Sequence, residues 1–405
     1  MLQYLREYFD YRTLLPALGL VGLGLISVYS ATFDARLPEI FYRQALWAAV
    51  GLAALLLVAF LPFRVLQFIS YPSYFFSIFL LVSVLLIGKT VSGSTSWFNL
   101  GALRLQPSEF TKITTALALA TYLSRSDVSL QNLKHLLTAS AIVILPFALI
   151  MMQPDAGTAI VYLGMFFPVL YWGGASRFTL TASVAPGVVA LAALFGTTPF
   201  LIAVLAFGVL FYYTKENRIL AAVFFSLTVL VGISVQFIYD GLKPYQQKRI
   251  ATFLDPGADP LGAGYNILQS KVAIGSGGLL GKGFLRGTQT QLNFIPEQWT
   301  DFIFCVPGEE FGFLGAALVI GFFAALLARG IMIASFVKNP YGSFVTIAVA
   351  STLATHVFMN VGMSLGLLPV IGVPLPFLSY GGSALLANMV MVGLLMNVHA
   401  NRKEY

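Results

Sequence analysis

The chain of 405 residues is 58% hydrophobic and only 10% charged, with a mean hydropathy of +0.85, which excludes a soluble globular domain and makes it a polytopic membrane protein. Its net charge of +7 comes from Lys and Arg scattered singly between apolar runs, so it points to membrane topology and anionic lipid and not to nucleic acid. One cysteine, Cys305, leaves no intramolecular disulfide framework.

The first apolar run, about 14–31, is longer than a signal-peptide core and has no small-residue cleavage site, so it reads as a retained span. Further runs long enough to cross a bilayer as helices lie near 44–62, 66–88, 108–124, 136–152, 157–174, 178–197, 198–213, 219–239, 303–328, 342–366 and 383–399. The expected architecture is an all-α bundle of about twelve spans forming one membrane domain over 1–405, without internal repeats. Arg64, Arg125, Lys134, Arg177, Lys215, Arg218, Arg329, Lys338, Arg402 and Lys403 fall on one side, which the positive-inside rule makes cytoplasmic, together with both termini. The outer face then receives 32–43, 89–106 and a large loop, 240–302, before span ten. Within that loop GYNILQSKVAIG reads as a short amphipathic helix at the surface.

The return from the large loop brings Asp301, Glu309 and Glu310 to one span, where a carboxylate at mid-membrane costs roughly 2.5–3.5 kcal/mol. Asp301 is either an acidic first-turn residue favoured by the helix dipole or a site residue. Pro307 and Gly308 are expected to interrupt the helix just beyond it, freeing backbone groups that must line a wet cavity or pack in protein. At the entry to span four, LRLQPSEFTK sets Pro107 at the first helical position and Glu109 three residues before Lys112, on one face. That pair is internal, or Lys112 presents a point charge to a phosphate. Asp155 in MMQPDAGTA reads as a turn and cap. Arg43 at the start of span two either snorkels or joins Lys112 and Arg104 in a basic rim, and Trp97 reads as an interfacial anchor. Ser379, Tyr380, Gly381, Gly382 and Ser383 form a Gly-rich turn before the last span, able to bind an anion through backbone N–H groups or to place Ser383 as an N-cap. His135, His356 and His399 are too dispersed for a metal site, and no P-loop or G-x-S-x-G is present.

The long segment LDPGADPLGAGYNILQSKVAIGSGGLLGKGFLRGTQTQLNFIPEQWTDFIF, with QPSEFTK, QPDAGT and GVPLPFLSYGGSA, resembles the SEDS proteins of the bacterial cell envelope, and their elongation branch more than their division branch. The resemblance spans nearly the whole chain. It implies a multi-pass peptidoglycan glycosyltransferase of the cytoplasmic (inner) membrane, polymerising lipid II at the outer face during cell-wall elongation and releasing undecaprenyl diphosphate. The family's essential acid, in its T-D-F motif, corresponds to Asp301, and Asp255 and Asp259 of the LDPxxDP motif are not that residue. Arg43 corresponds to a functional arginine before span two, and Glu109 and Lys112 to the Q-P-S-E-x-x-K motif. On this basis Asp301 is the expected base, Arg43 and Lys112 hold diphosphate, and Glu109 orients Lys112. Trp97, Asp155, Ser379, Gly381 and Gly382 complete the expected substrate-binding set.

The expected partners are a class B penicillin-binding protein, other elongation proteins and membrane lipid. Mg2+ or Mn2+ suits a diphosphate, though the residues show no dedicated cage. Three features depart from the family: an apparent pair of spans near 195–240 added to a core of ten, Pro307-Gly308, and Ser96 where an arginine is common before Trp97. A lipid II flippase and a non-catalytic scaffold for a penicillin-binding protein are the rival readings. A flippase needs polar groups at mid-membrane and on both faces, whereas these candidates fall at the outer ends of spans, which favours an enzyme.

Overall fold

The computed structural model describes residues 9–91, 94–100, 103–214, 217–242, 244–254, 264–296 and 298–402; Asp255, Asp259, Lys215 and Lys403 lie outside them. In chain order the elements are α1 (Tyr11–Phe33), α2 (Pro38–Ala59), α3 (Phe63–Ile87), β1 (Lys89–Val91), β2 (Ser94–Leu100), β3 (Leu103–Leu105), α4 (Pro107–Leu123), α5 (Leu133–Met152), α6 (Ala156–Trp172), α7 (Arg177–Leu194), α8 (Thr197–Thr214), α9 (Arg218–Asp240), α10 (Pro244–Leu254), α11 (Tyr265–Ser276), α12 (Thr288–Gln291), α13 (Cys305–Glu310), α14 (Gly312–Phe336), α15 (Pro340–Ser364) and α16 (Gly382–Ala400). Ten of these helices are long and apolar enough to cross a membrane. The 17-residue α4 and α6 occupy the fourth and sixth expected positions. Helices suit this environment because all their backbone bonds are internal. Their starts are marked locally: Pro38, Pro107 and Pro340 open helices, and the side chains of Asn132, Asp155, Ser176, Asn217 and Asn339 accept first-turn N–H bonds.

α15 and α16 form the centre. In each the apolar stretch is mostly buried, 67% and 72%, against 11% for α8 at the periphery. α16 packs along α2 so closely that a Cβ on Gly393 would stand 2.7 Å from the Leu55 carbonyl oxygen, the small-residue approach that membrane helices use. Asn397 then donates through Nδ2 to the carbonyls of Val58, Ala59 and Leu61, satisfying the open end of α2. At the same end Arg329 pairs with buried Asp10 at 3.1 Å, joining α14 to the start of α1. α7, α8 and α9 pack mainly on each other, around Phe178, Ala182, Ala185, Phe211 and Ala221.

Three expectations change here. The connection 89–105 is not merely a loop but an antiparallel three-stranded sheet, fastened to the end of α5 where the Gln153 carbonyl accepts from Thr95 N and Ser94 Oγ. The helix break comes later than Pro307-Gly308: Pro307 lies in the first turn of α13, where its missing N–H costs nothing, and the chain breaks at Phe311–Gly312, with Gly312 at φ +63°. The return loop satisfies the freed backbone. Lys282 N and Gly283 N donate to the carbonyls of Glu309 and Glu310 (3.0 and 2.9 Å), and Phe313 N donates to Gly278 O (2.8 Å). A Cβ at Gly281, itself at φ +79°, would be 2.1 Å from the Glu310 carbonyl oxygen, which explains the glycine at that position. α11 does not lie free at a surface: it buries Ile267, Ser270 and Ala273 against α13, and Ser270 Oγ bonds the Ser364 carbonyl at the end of α15.

Candidate active site

Residues 299–301 form a turn ahead of α13, so Asp301 is not a helix cap. Three consecutive carbonyls fix this turn from outside. Trp299 O accepts from Tyr380 N (2.8 Å), Thr300 O from Ser379 Oγ (2.7 Å) and Asp301 O from Asn360 Nδ2 (2.8 Å). Asn360 Nδ2 also bonds Val373 O at 2.8 Å, so α15 holds the turn and the 371–380 loop together. The Asp301 side chain is partly exposed and faces Gly372: a Cβ there would lie 3.5 Å from Oδ2. Gly372 is at φ +75°, a conformation that suits glycine.

The side chain that ties α2 to this loop is Gln44, which sequence reasoning passed over for its neighbour. Gln44 Nε2 donates to Ser379 O (3.1 Å), and Gly381 N donates to Gln44 Oε1 (3.3 Å). Arg43 points elsewhere: its side chain is 60% exposed and, among the described residues, pairs with exposed Glu39 at 3.5 Å. Such a pair is worth about 0–1 kcal/mol, so the guanidinium can turn to another anion at little cost.

The other candidates divide cleanly. Asp155 caps α6 through Thr158 N (3.1 Å) and also accepts from Gln106 Nε2 (3.0 Å), joining the entries of α6 and α4. The SYGGS turn is not an open anion site, because its groups are used internally: Gly381 N by Gln44, and Ser379 by Thr300 and by Leu375 N. Ser383 is not an N-cap; it donates to Arg104 O and accepts from Gln106 N. Gly382 is required because a Cβ would collide with Trp47 at 2.4 Å. Trp97 is half-buried on β2 opposite Lys89, and it is not among the side chains that fasten the Asp301 turn.

Lys112 is the largest correction. It does not stand at a rim: it is 1% exposed, and its ammonium meets both Glu109 oxygens at 2.9 Å and His356 Nε2 at 2.8 Å. All three N–H donors are thereby engaged inside the bundle. His356 continues the contact to the Pro374 carbonyl at 3.2 Å, in the loop that carries Gly372.

Glu309 and Glu310 also have structural work. Glu309 accepts from Lys282 Nζ (2.8 Å), Gln289 N (2.9 Å) and Thr290 N (2.9 Å), fixing the start of α12. Burial alone would lift its carboxyl, but the two N–H groups and Lys282 outweigh burial and hold it below the ordinary value. Glu310 is bonded by Ser30 and Gln291, yet burial dominates and pushes it up. Because the folded value of Glu309 is the lower one, its contribution is full above the unfolded value of about 4.3 and disappears as pH falls through the folded value. Glu309→Gln is therefore expected to destabilise at pH 7 by roughly 1.5–3 kcal/mol. In thermal melts the gap from the parent should close on acidification, and a gap independent of pH would contradict this role for the charge.

Among the described residues no three His, Cys, Asp or Glu side chains gather in a metal-sized group. The candidate groups are partly exposed Asp301 in a turn fastened through its main chain, an exposed guanidinium near the start of α2, and a buried Glu109–Lys112 pair. A family model described as cell cycle protein, FtsW, RodA and SpoVE, matches residues 11–200 and 178–404. The chain belongs to this FtsW/RodA/SpoVE family. Members that it resembles over nearly their whole length include the peptidoglycan glycosyltransferase RodA of Treponema pallidum, 35% identical over 97% of this chain and 98% of the relative. The peptidoglycan glycosyltransferase MrdB of Escherichia coli K12 is 36% identical over 98% and 95%. A solved family structure, from work on how a peptidoglycan synthase complex coordinates polymerization and crosslinking, superposes with a TM-score of 0.75 at 30% identity, covering 98% of this chain and 99% of the other.

Proposed function

We propose that this chain is a peptidoglycan glycosyltransferase that polymerises lipid II, with Asp301 as general base. The observation that carries the assignment is the fastened turn: three main-chain carbonyls are bonded from α15 and the 371–380 loop, and Asp301, beside Gly372, is partly exposed. A base contributes only if it is held within reach of the proton it takes. Asp301 removes the proton from the acceptor sugar hydroxyl as that oxygen bonds the donor's anomeric carbon. The anomeric C–O bond to diphosphate breaks, and the polyprenyl diphosphate leaves with the electron pair. Arg43 meets the developing negative charge, bidentate geometry being natural to a guanidinium. Lys112 contributes through Glu109 and His356 and does not touch the leaving group. Mg2+ or Mn2+ would add charge at the diphosphate, and no step requires a protein cage for it.

Arg64, Arg125, Lys134, Arg177, Arg218, Arg329 and Lys338 sit at the ends or links of helices away from Asp301, which supports cytoplasmic termini and an active face on the outer side of a bacterial inner membrane. A class B penicillin-binding protein is the proposed crosslinking partner, in keeping with the assembly in which the solved relative was studied. The test is purified protein in liposomes supplied with labelled lipid II. Glycan chains are expected; label that moves between leaflets without chain formation would instead support a flippase.

A further inference from the structure

We propose that His356 is a positioning residue for this reaction, linking the buried Glu109–Lys112 pair to the loop that frames Asp301. This rests on Asp301 being the base. His356 and Asn360 are four residues apart on α15 and so share one face. His356 addresses Pro374 O, and Asn360 addresses Val373 O and Asp301 O, so adjacent carbonyls of the loop are held by adjacent turns of one helix. On its other side His356 meets Lys112.

The partners dictate the state of the ring. An ammonium can only donate, so Nε2 accepts; a carbonyl can only accept, so Nδ1 carries the hydrogen. A single neutral tautomer satisfies both contacts, and an imidazolium would set two cations against each other at 2.8 Å. A buried neutral imidazole has one donor and one acceptor nitrogen to satisfy. Here both are used, in opposite directions, and each leads to a group at the site.

Removing the ring leaves Pro374 O without its bond and lets the loop shift beside the carboxylate. Displacements on the order of 1 Å at a catalytic group cost about 10²-fold in rate. Arg43 on α2 is outside this linkage, so substrate capture should be unaffected. His356→Gln can accept at Oε1 from Lys112 and donate from Nε2 to Pro374 O. His356→Asn keeps an amide in the core but is too short to span both partners.

The experiment measures polymerisation rate against lipid II concentration for the full chain in liposomes, normalised to folded protein. His356→Ala and His356→Asn are expected to lose roughly 10- to 100-fold in kcat, with KM within about threefold, while His356→Gln stays within about threefold of the parent in kcat. Should His356→Ala fail to fold, the Gln and Asn variants decide between them. Equal rates for Gln and Asn, or a change confined to KM, overturn the proposal. Asp301→Asn runs as the control: if it is inactive and His356→Asn fully active, only this inference fails. If Asp301→Asn polymerises normally, the reading of the site fails and takes this inference with it.

Discussion

Asp301→Asn is expected to reduce lipid II polymerisation by about 10²- to 10⁴-fold, the contribution of a positioned general base, while leaving the fold intact. The substitution is nearly isosteric. The bonds to the main-chain carbonyls of Trp299, Thr300 and Asp301 remain available in the variant. Loss of activity with an unchanged melting temperature and unchanged lipid II binding is thus the predicted pattern. Asp301→Glu should also be impaired, because one more methylene displaces the carboxylate by about 1 Å or more from the position the turn sets, a shift that costs about 10²-fold. Polymerisation assays with parallel binding measurements check both, and substantial activity in Asp301→Asn would remove the base from the scheme.

Lys112→Met should be the most destabilising single change at the site. It leaves Glu109, 2% exposed, as a buried carboxylate without its counter-ion, a situation that costs about 3–5 kcal/mol. It also deprives His356 of its donor. The double substitution Glu109→Gln with Lys112→Met should recover most of that stability, since a buried pair replaced as a unit is often close to neutral. Denaturation of the two singles and the double gives the coupling directly. A rim lysine would behave differently, with near-native stability and a raised KM, and that outcome would argue against the buried pair.

Sequence alone located most of the long helices to within a few residues, because a bilayer demands long apolar runs and Pro, Asn, Asp and Ser mark their starts; the exceptions are the run expected at 303–328, which is the helix Gly312–Phe336, and the one expected at 44–62, which is Pro38–Ala59. It also singled out Asp301, since an acid after a long polar loop and before an apolar run is conspicuous. The partners of Asp301 were not legible. Gln44, Asn360 and Ser379 converge only through contacts between segments far apart in the chain, and hydropathy carries no such information. A signal did exist for two residues: His356 and Asn360 are strongly polar and four apart in a membrane-length span, and such residues face protein interiors. Dispersal of the histidines argued only against a metal. Lys112 was misplaced for a related reason: its position near a helix entry suggests a surface, whereas its burial depends on α15 crossing α4. The break at Gly312 came after Pro307-Gly308 because a proline in the first turn of a short helix is tolerated, and the close approach of Gly281 sets the break.

The most direct measurement is a structure of the protein with a non-reacting lipid II analogue in the acceptor position. A catalytic base must lie within about 2.6–3.2 Å of the hydroxyl oxygen it deprotonates, or one water away. The account predicts that an Asp301 carboxylate oxygen meets that hydroxyl, with the diphosphate of a donor analogue at Arg43. An acceptor sugar bound elsewhere, or an Asp301 carboxylate walled off from it by the 371–380 loop, would contradict it.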